Sequence, residues 1–279
     1  MLRLTTPWSR IGFAAITALI AAFLLFPILW LVVTSLKPEA EIFVKMPSLL
    51  PLAPTLDNFS RALGASGLPR YLLNSLITAA GSAILTTLLA ALAAYGFAKY
   101  RFRGRQSLML LLIAAQMFPF AVILITLYPM LKAAGLLNSL LGLTLSYIVF
   151  ALPSGIYILF TFFVQIPDEL IEAARIDGAS EVTILRVIIL PLASPGLVAV
   201  GVYAFMWAWN DLFYSLTIIS SKNLRTVGPG LMLEFFGEMQ QDWGPAMAAS
   251  FLASAPVVLM FTLLQRYFVQ GLTAGAVKG

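Results

Sequence analysis

Residues 11–36 read IGFAAITALIAAFLLFPILWLVVTSL, an apolar stretch without one charged side chain. A helix needs about 20 mostly apolar residues to cross the hydrocarbon core of a bilayer, so this stretch is long enough to span a membrane. Arg3 and Arg10 precede it, as basic residues precede the apolar region of a secretory signal. The apolar run is longer than the roughly 7–15 residues of such a region, and we therefore interpret it as an uncleaved first span.

Five further stretches have the same length and character. They are residues 71–97, 108–131, 140–164, 192–219 and 246–264. Among the five, only 192–219 contains a charged residue, which is Asp211. The sequence therefore predicts an all-α integral membrane protein with six transmembrane helices, forming a single transmembrane domain over residues 1–279.

The composition excludes several function classes. The chain is 61% hydrophobic and 10% charged, whereas soluble domains carry about 25% charged residues. It contains neither Cys nor His. Disulfides, His- or Cys-based zinc sites, Cys nucleophiles and His general bases are therefore ruled out, and nothing in the sequence suggests an enzyme. The net charge of +5 is no argument for nucleic acid, because in a membrane protein the position of each charge matters more than the sum.

The orientation follows from the Lys and Arg residues in the loops, which are enriched on the cytoplasmic side of membrane proteins. The cluster Lys99–Arg105 lies between the second and third spans, and we interpret it as a topology signal. It places both termini and residues 165–191 in the cytoplasm. Residues 37–70 and 220–245 then face outward.

The segment between the fourth and fifth spans, residues 165–191, reads QIPDELIEAARIDGASEVTILRVIILP. Pro167 followed by two acids predicts the start of a short helix, and Gly178 predicts its end. Ser180 can cap a second helix that ends at Pro191. Ala173 and Ala174 give the first helix a flat face that another protein could approach closely. The alternative is an ordinary amphipathic helix at the membrane interface.

This segment resembles a known family. Its pattern is similar to the EAA motif, the signature of the permease subunits of ATP-binding-cassette (ABC) importers, at Glu172-Ala173-Ala174, Gly178, Ile188 and Leu190-Pro191. Three further stretches resemble the sugar-importer branch, the family of the smaller maltose permease subunit: Pro54–Phe59, Trp209-Asn210-Asp211 and the tail Gly271–Gly279. The resemblance covers essentially the whole chain.

The resemblance implies a division of labour among subunits. Residues 165–191 would form the coupling loop and contain a cytoplasmic coupling helix, contacting the ATPase through Glu172, Ala173, Ala174, Asp177 and Gly178. The flexible tail would reach the ATPase through Gly275, Lys278 and Gly279. The implied partners are a second homologous permease, two ATPase subunits, an extracytoplasmic sugar-binding protein and membrane lipid, in a bacterial inner membrane. ATP and Mg would be bound by the ATPase subunits, because this chain has no phosphate-binding loop, and no cofactor or metal is expected in it.

Asp211 is the one acid inside a predicted span, which makes it a functional candidate. It could line a wet cavity or simply bond to a neighbouring helix. Trp207 and Trp209 flank it, and they could stack on a sugar or belong to the aromatic belt at the membrane interface. The candidates for the translocation path are Asn74, Trp209, Asn210 and Asp211, of which Asn74 rests on the resemblance alone.

Two alternative functions stay open. One is a permease of the same superfamily for a non-sugar solute, such as an amino acid, a polyamine or phosphate. The other is an ion-coupled secondary carrier, a class that usually shows internal repeats and several buried ionisable groups. The second is less favoured, because the sequence offers only Asp211 and shows no repeat.

Overall fold

A computed structural model describes residues 7–64, 67–236 and 242–276. Within these ranges all regular structure is helical and no strand occurs. The α-helices in chain order are α1 (Pro7–Ser35), α2 (Glu39–Ile42), α3 (Asp57–Gly64), α4 (Leu68–Lys99), α5 (Arg105–Ala115), α6 (Phe120–Ala133), α7 (Leu140–Phe163), α8 (Asp168–Ile176), α9 (Glu181–Ile184), α10 (Leu190–Leu192), α11 (Ser194–Trp209), α12 (Phe213–Ile218), α13 (Val227–Phe235) and α14 (Trp243–Ala276). A π-helical turn, Leu185–Ile189, joins α9 to α10.

Four continuous helices of the described chain are long and apolar enough to cross a membrane. They are Arg10–Ser35, Leu68–Lys99, Leu140–Phe163 and Trp243–Gln265. Two further pairs of helices meet the same criteria together but are bent at a short break. Arg105–Ala115 and Phe120–Ala133 meet at 100°, and Glu181–Leu192 and Ser194–Trp209 meet at 80°. Counting each bent pair as one span gives six, and the predicted all-α membrane fold is confirmed.

The third and fifth spans, predicted over 108–131 and 192–219 with kinks at Pro119 and Pro195, are each broken into separate helices. The third breaks before Pro119, which adopts an extended ψ of 131° and caps the start of α6 at Phe120. Proline has no backbone N–H and disfavours helical geometry in the residue before it, which explains the position of this break. The fifth breaks twice, at Ala193 and between Trp209 and Phe213. Asp211 therefore lies between two helices and not inside one.

The chain divides into two compact units. The first unit comprises Met1–Leu68 and Leu231–Ala255, and the second comprises Pro69–Gly230 and Pro256–Gly279. In the first unit the buried side chain of Asn58 donates hydrogen bonds to the carbonyls of Ser35 (2.9 Å) and Lys37 (2.7 Å). These bonds tie α3 to the end of α1.

The second unit packs α4, α7 and α11 closely through small residues. A Cβ added at Gly155 of α7 would meet Val200 of α11 at 3.0 Å and Ala90 of α4 at 3.2 Å. One added at Gly196 would meet the ring of Phe162 at 2.7 Å. Small residues are what allow membrane helices to approach this closely. The resulting core extends to the segment that follows α7, and α8 rests on it.

Candidate functional site

The helix predicted from residues 168 to 177 is present as α8. Asp168 and Glu169 occupy its first turn, where the helix dipole favours negative charge. At its other end Gly178 adopts a φ of +84°, which lets the chain turn back. The N–H of Ala179 then reaches the carbonyl of Ala174 (2.9 Å), and the N–H of Gly178 reaches that of Arg175 (3.0 Å). This pair of bonds is a Schellman motif, so the predicted glycine end is confirmed.

The two faces of α8 point to different surroundings. Ile171 is buried in the core of the second unit, and Ala174 packs against the same core one turn later. Glu172, Ala173 and Ile176 lie on the opposite side, and Ile176 is 86% exposed. We call these three residues the outer face of α8. Successive helical residues are about 100° apart, so Ala173 is exposed on the outer face while Ala174 is half-buried against the core.

Ile176 was missed by the sequence reasoning. Its signal was its spacing, because it follows Glu172 by four residues and Ala173 by three, which places all three on one side of a helix. Asp177 and Gly178 are exposed where α8 ends. The structure therefore brings Glu172, Ala173, Asp177 and Gly178 together on the exposed surface of this segment, and turns Ala174 inward.

The start of α8 is attached to the end of α4 by Lys99. Its ammonium group donates to the carbonyl of Ile166 (2.6 Å) and to the carboxylate of Asp168 (2.7 Å). The Lys99 side chain is only 4% exposed. The hydrogen bond from Lys99 lowers the pKa of Asp168, because the ammonium group favours the ionised carboxylate. Lys99 thus has a structural contact in addition to the topology role that the sequence suggested.

The end of α8 is attached to the same part of α4 by Glu181, the first residue of α9. One of its carboxylate oxygens accepts hydrogen bonds from the hydroxyls of Tyr95 (2.8 Å) and Tyr100 (2.7 Å). The other accepts from the guanidinium group of Arg175 (2.8 Å). The bond to this carboxylate raises the pKa of Tyr100.

These two attachments form one structural unit, and we call it the α8 clamp. Its members are Lys99 with Asp168, and Glu181 with Tyr95, Tyr100 and Arg175. Sequence reasoning missed Glu181, because the two tyrosines stand 86 and 81 residues before it and no local pattern connects them. The clamp joins the start of α8 directly, and its end through Glu181, to the last two turns of α4 and to Tyr100.

A pocket of about 380 Å³ opens beside the break between α11 and α12. It is lined by Phe120, Tyr203, Met206, Trp207, Asn210, Asp211, Leu212 and Phe213. Asp211 accepts hydrogen bonds from the hydroxyl of Tyr147 (2.9 Å) and from the N–H groups of Tyr214 (3.2 Å) and Ser215 (2.9 Å). Its carboxylate therefore satisfies free donors at the start of α12 while lining the pocket.

Two of the predicted path residues do not reach this pocket. Trp209 is buried and stacks on Phe205, with ring centroids 5.5 Å apart. Asn74 is also buried, and its amide group donates to the carbonyls of Asn223 and Arg225, each at 2.9 Å. Trp207 is the tryptophan that lines the pocket, and it stacks on Phe150 at 3.8 Å.

The predicted tail contacts lie at the end of α14. Gly275 stands in the last turn of this helix, which continues to Ala276. Residues 271–276 of the predicted tail are thus helical. Lys278 and Gly279 lie outside the described residues.

Nearly the whole chain is similar in sequence to transport permeases of known systems. The chain is 38% identical over 255 residues to the sulfoquinovosyl glycerol transport system permease protein SmoH of Agrobacterium fabrum, covering 91% of this chain and 89% of that protein. It is 36% identical to the diacetylchitobiose uptake system permease protein DasC of Streptomyces coelicolor, covering 92% of each. It is also 36% identical to the trehalose/maltose transport system permease protein MalG of Thermococcus litoralis, covering 94% of each.

A solved structure and a family model match the chain as well. The crystal structure of a bacterial ABC transporter involved in the import of the acidic polysaccharide alginate contains a chain that superimposes with a TM-score of 0.81. The match covers 95% of this chain and 99% of that one at 21% identity, and so it establishes a shared fold. Residues 83–274 match the family described as the binding-protein-dependent transport system inner membrane component. With its several apolar spans, the chain is a multi-pass inner-membrane protein and belongs to this family of transport permeases.

Proposed function

We propose that this chain is the permease subunit of an ABC importer that moves a carbohydrate into the cytoplasm. The observation that carries the proposal is the similarity over about nine-tenths of the chain to three permeases whose names all specify a carbohydrate or a glycoside. The function is transport and not catalysis, and the energy comes from ATP hydrolysed by separate ATPase subunits. ATP and Mg are bound by those subunits, and this chain holds no cofactor.

The partners of the chain are a second homologous permease, two ATPase subunits and an extracytoplasmic sugar-binding protein. One feature of the first unit supports a membrane partner. None of the residues in the apolar window of α1 is buried by the part of the chain that the structure describes. A helix that is apolar all round and unburied must contact lipid or another membrane subunit.

The outer face of α8 is the docking surface for an ATPase subunit. Ala173 offers a small side chain that permits close approach, and Ile176 offers an exposed apolar side chain beside it. The exposed carboxylate of Glu172 can pair with a basic residue of the ATPase. Asp177 and the Gly178 turn border this surface. The helical end at Gly275, with Lys278 and Gly279 beyond it, is a second contact to the ATPase.

The α8 clamp transmits movement of the docked helix to the second span. The start of α8 is bonded directly to Lys99 of α4, and its end is connected through Arg175 and Glu181 to Tyr95 and Tyr100, so a displacement of α8 pulls on the end of α4. The connection from α8 to the fifth span is less direct. It passes through the π-helical turn Leu185–Ile189 and the 80° bend at Ala193, and both can absorb movement.

The pocket at the α11–α12 break is part of the path of the carbohydrate. Sugars bind proteins through aromatic faces together with a few polar groups, and this pocket combines Phe213 and Trp207 with the amide of Asn210 and the carboxylate of Asp211.

Both termini and α8 face the cytoplasm, where ATP is available. Residues 37–70 and 220–245 face the binding protein.

Uptake measurements test this function. In a strain from which the gene for this chain is deleted, uptake of radiolabelled carbohydrates is compared with uptake of amino acids, polyamines and phosphate. The proposal expects the loss of one carbohydrate or a small group of related ones, with restoration by the intact gene. Loss of a non-sugar solute alone would overturn the carbohydrate assignment. Uptake that survives ATP depletion but stops with a proton ionophore would indicate an ion-coupled carrier instead.

A further inference from the structure

A basic turn and an apolar groove adjoin where the third span begins. Residues Arg101–Ser107 enclose a hollow of about 500 Å³. Met109, Leu110, Ile113 and Phe160 line a groove of about 490 Å³. Arg105 and Gln106 belong to both, so one continuous surface runs from a basic end to an apolar end. We call it the basic–apolar groove.

The basic end carries three arginines that form no salt bridge with the described residues. Arg101 and Arg103 are exposed, and Arg105 is half-buried with its guanidinium group over the ring of Phe160, 5.6 Å from the centroid. The salt bridges seen among the described residues involve other cations, and the described residues that line the groove include no acid. Arg101 also interacts electrostatically with Asp168, which is already paired with Lys99, so this turn keeps a net positive charge that favours an anion of high charge density.

The described part of the chain also leaves the apolar end largely uncovered. α5 contains no buried residue, and Leu110 is largely exposed. A soluble anion would leave this surface uncovered. A ligand that satisfies both ends must carry an anionic group and a long apolar chain on one molecule.

We propose that the basic–apolar groove binds an anionic phospholipid. The phosphate diester lies among Arg101, Arg103 and Arg105, and one acyl chain lies along Met109, Leu110, Ile113 and Phe160. The groove belongs to a membrane span, so it is continuous with the lipid-facing surface and is reached by lipid without any further step. Basic pockets of this kind beside transmembrane helices bind acidic head groups. The site shares no residue with the path of the carbohydrate or with the α8 clamp, although the charge of Arg101 also acts on Asp168 of the clamp.

The test measures lipid binding by the intact transporter complex, washed free of native lipid. Tritiated phosphatidylglycerol and phosphatidylcholine are offered in the same detergent to the wild type and to variants. The wild type is expected to prefer phosphatidylglycerol by about tenfold, since each basic residue near the surface attracts an anionic lipid. Arg101→Gln/Arg103→Gln/Arg105→Gln should reduce the preference to about one. Arg101→Lys/Arg103→Lys/Arg105→Lys should keep most of it and also preserves the charge that sets topology.

Two further arms identify the bound species and control for general charge. sn-Glycerol phosphate, which has the charged group without acyl chains, should fail to displace phosphatidylglycerol at tenfold excess. Lys45→Gln, which removes an exposed charge elsewhere, should behave as the wild type. An unchanged preference in the triple glutamine variant would overturn the site. Displacement by glycerol phosphate would show a site for soluble anions and would overturn the lipid assignment.

Discussion

Replacing Tyr100 by phenylalanine removes one hydroxyl from the α8 clamp and leaves the outer face of α8 untouched. A shielded hydrogen bond to a charged group contributes about 1.5–3 kcal/mol to stability. The bond between Tyr100 and Glu181 is exposed, and an exposed bond contributes about 1 kcal/mol. A loss of about 1 kcal/mol changes the ratio of attached to detached clamp about fivefold. We therefore expect Tyr100→Phe to lower carbohydrate uptake per ATP hydrolysed severalfold, with normal assembly of the complex. Glu181→Ala, which removes three hydrogen bonds, should lower it further.

Proteoliposomes that contain the whole complex and the binding protein allow uptake and ATP hydrolysis to be measured together. Tyr157→Phe is the matched control. The two tyrosines are similarly exposed, Tyr157 at 44% and Tyr100 at 39%, but the hydroxyl of Tyr157 makes no hydrogen bond to the described residues. The control should match the wild type. If Glu181→Ala retains the wild-type ratio of uptake to hydrolysis, or if both phenylalanine variants behave alike, α8 does not act through α4.

Three further predictions address the division of labour, the topology and Asp211. The purified chain alone should neither bind nor hydrolyse ATP, because it has no phosphate-binding loop, and sustained turnover by the isolated chain would contradict this. In this naturally Cys-free chain, a membrane-impermeant maleimide applied to intact cells should label Met46→Cys and not Ile176→Cys, and the reverse pattern would overturn the orientation. Asp211→Ala removes the hydrogen bonds that cap α12 and should lower the free energy of unfolding of the complex by about 1 kcal/mol, which is measured as a lower unfolding temperature. An unchanged unfolding temperature would show that the cap contributes nothing.

Local signals in the sequence were enough to predict much of the fold. The apolar stretches identified the spans, since their lengths match the bilayer. Pro167, Gly178 and Ser180 located α8 and the start of α9, because capping and left-handed turns depend on residues within one helical turn.

Features that depend on tertiary contacts were beyond sequence reasoning. No proline or glycine stands between Trp209 and Phe213, and Asp211 at this break is held partly by Tyr147, 64 residues away. The direction of Ala174 depends on the core beneath Ile171, which a helical pattern alone does not reveal. The partners of Glu181 are distant in sequence for the same reason.

The central claim is that the outer face of α8 couples ATP hydrolysis to transport, and the most direct test is the sugar-stimulated ATPase activity of the reconstituted complex carrying Ala173→Trp. A large ring on this small residue should prevent close docking, since overpacking typically costs about 1–3 kcal/mol. Val182→Trp, at an exposed position outside the outer face, is the control for a bulky surface substitution. We expect stimulation to collapse in Ala173→Trp and to persist in Val182→Trp. Full stimulation in an assembled Ala173→Trp complex would contradict the account.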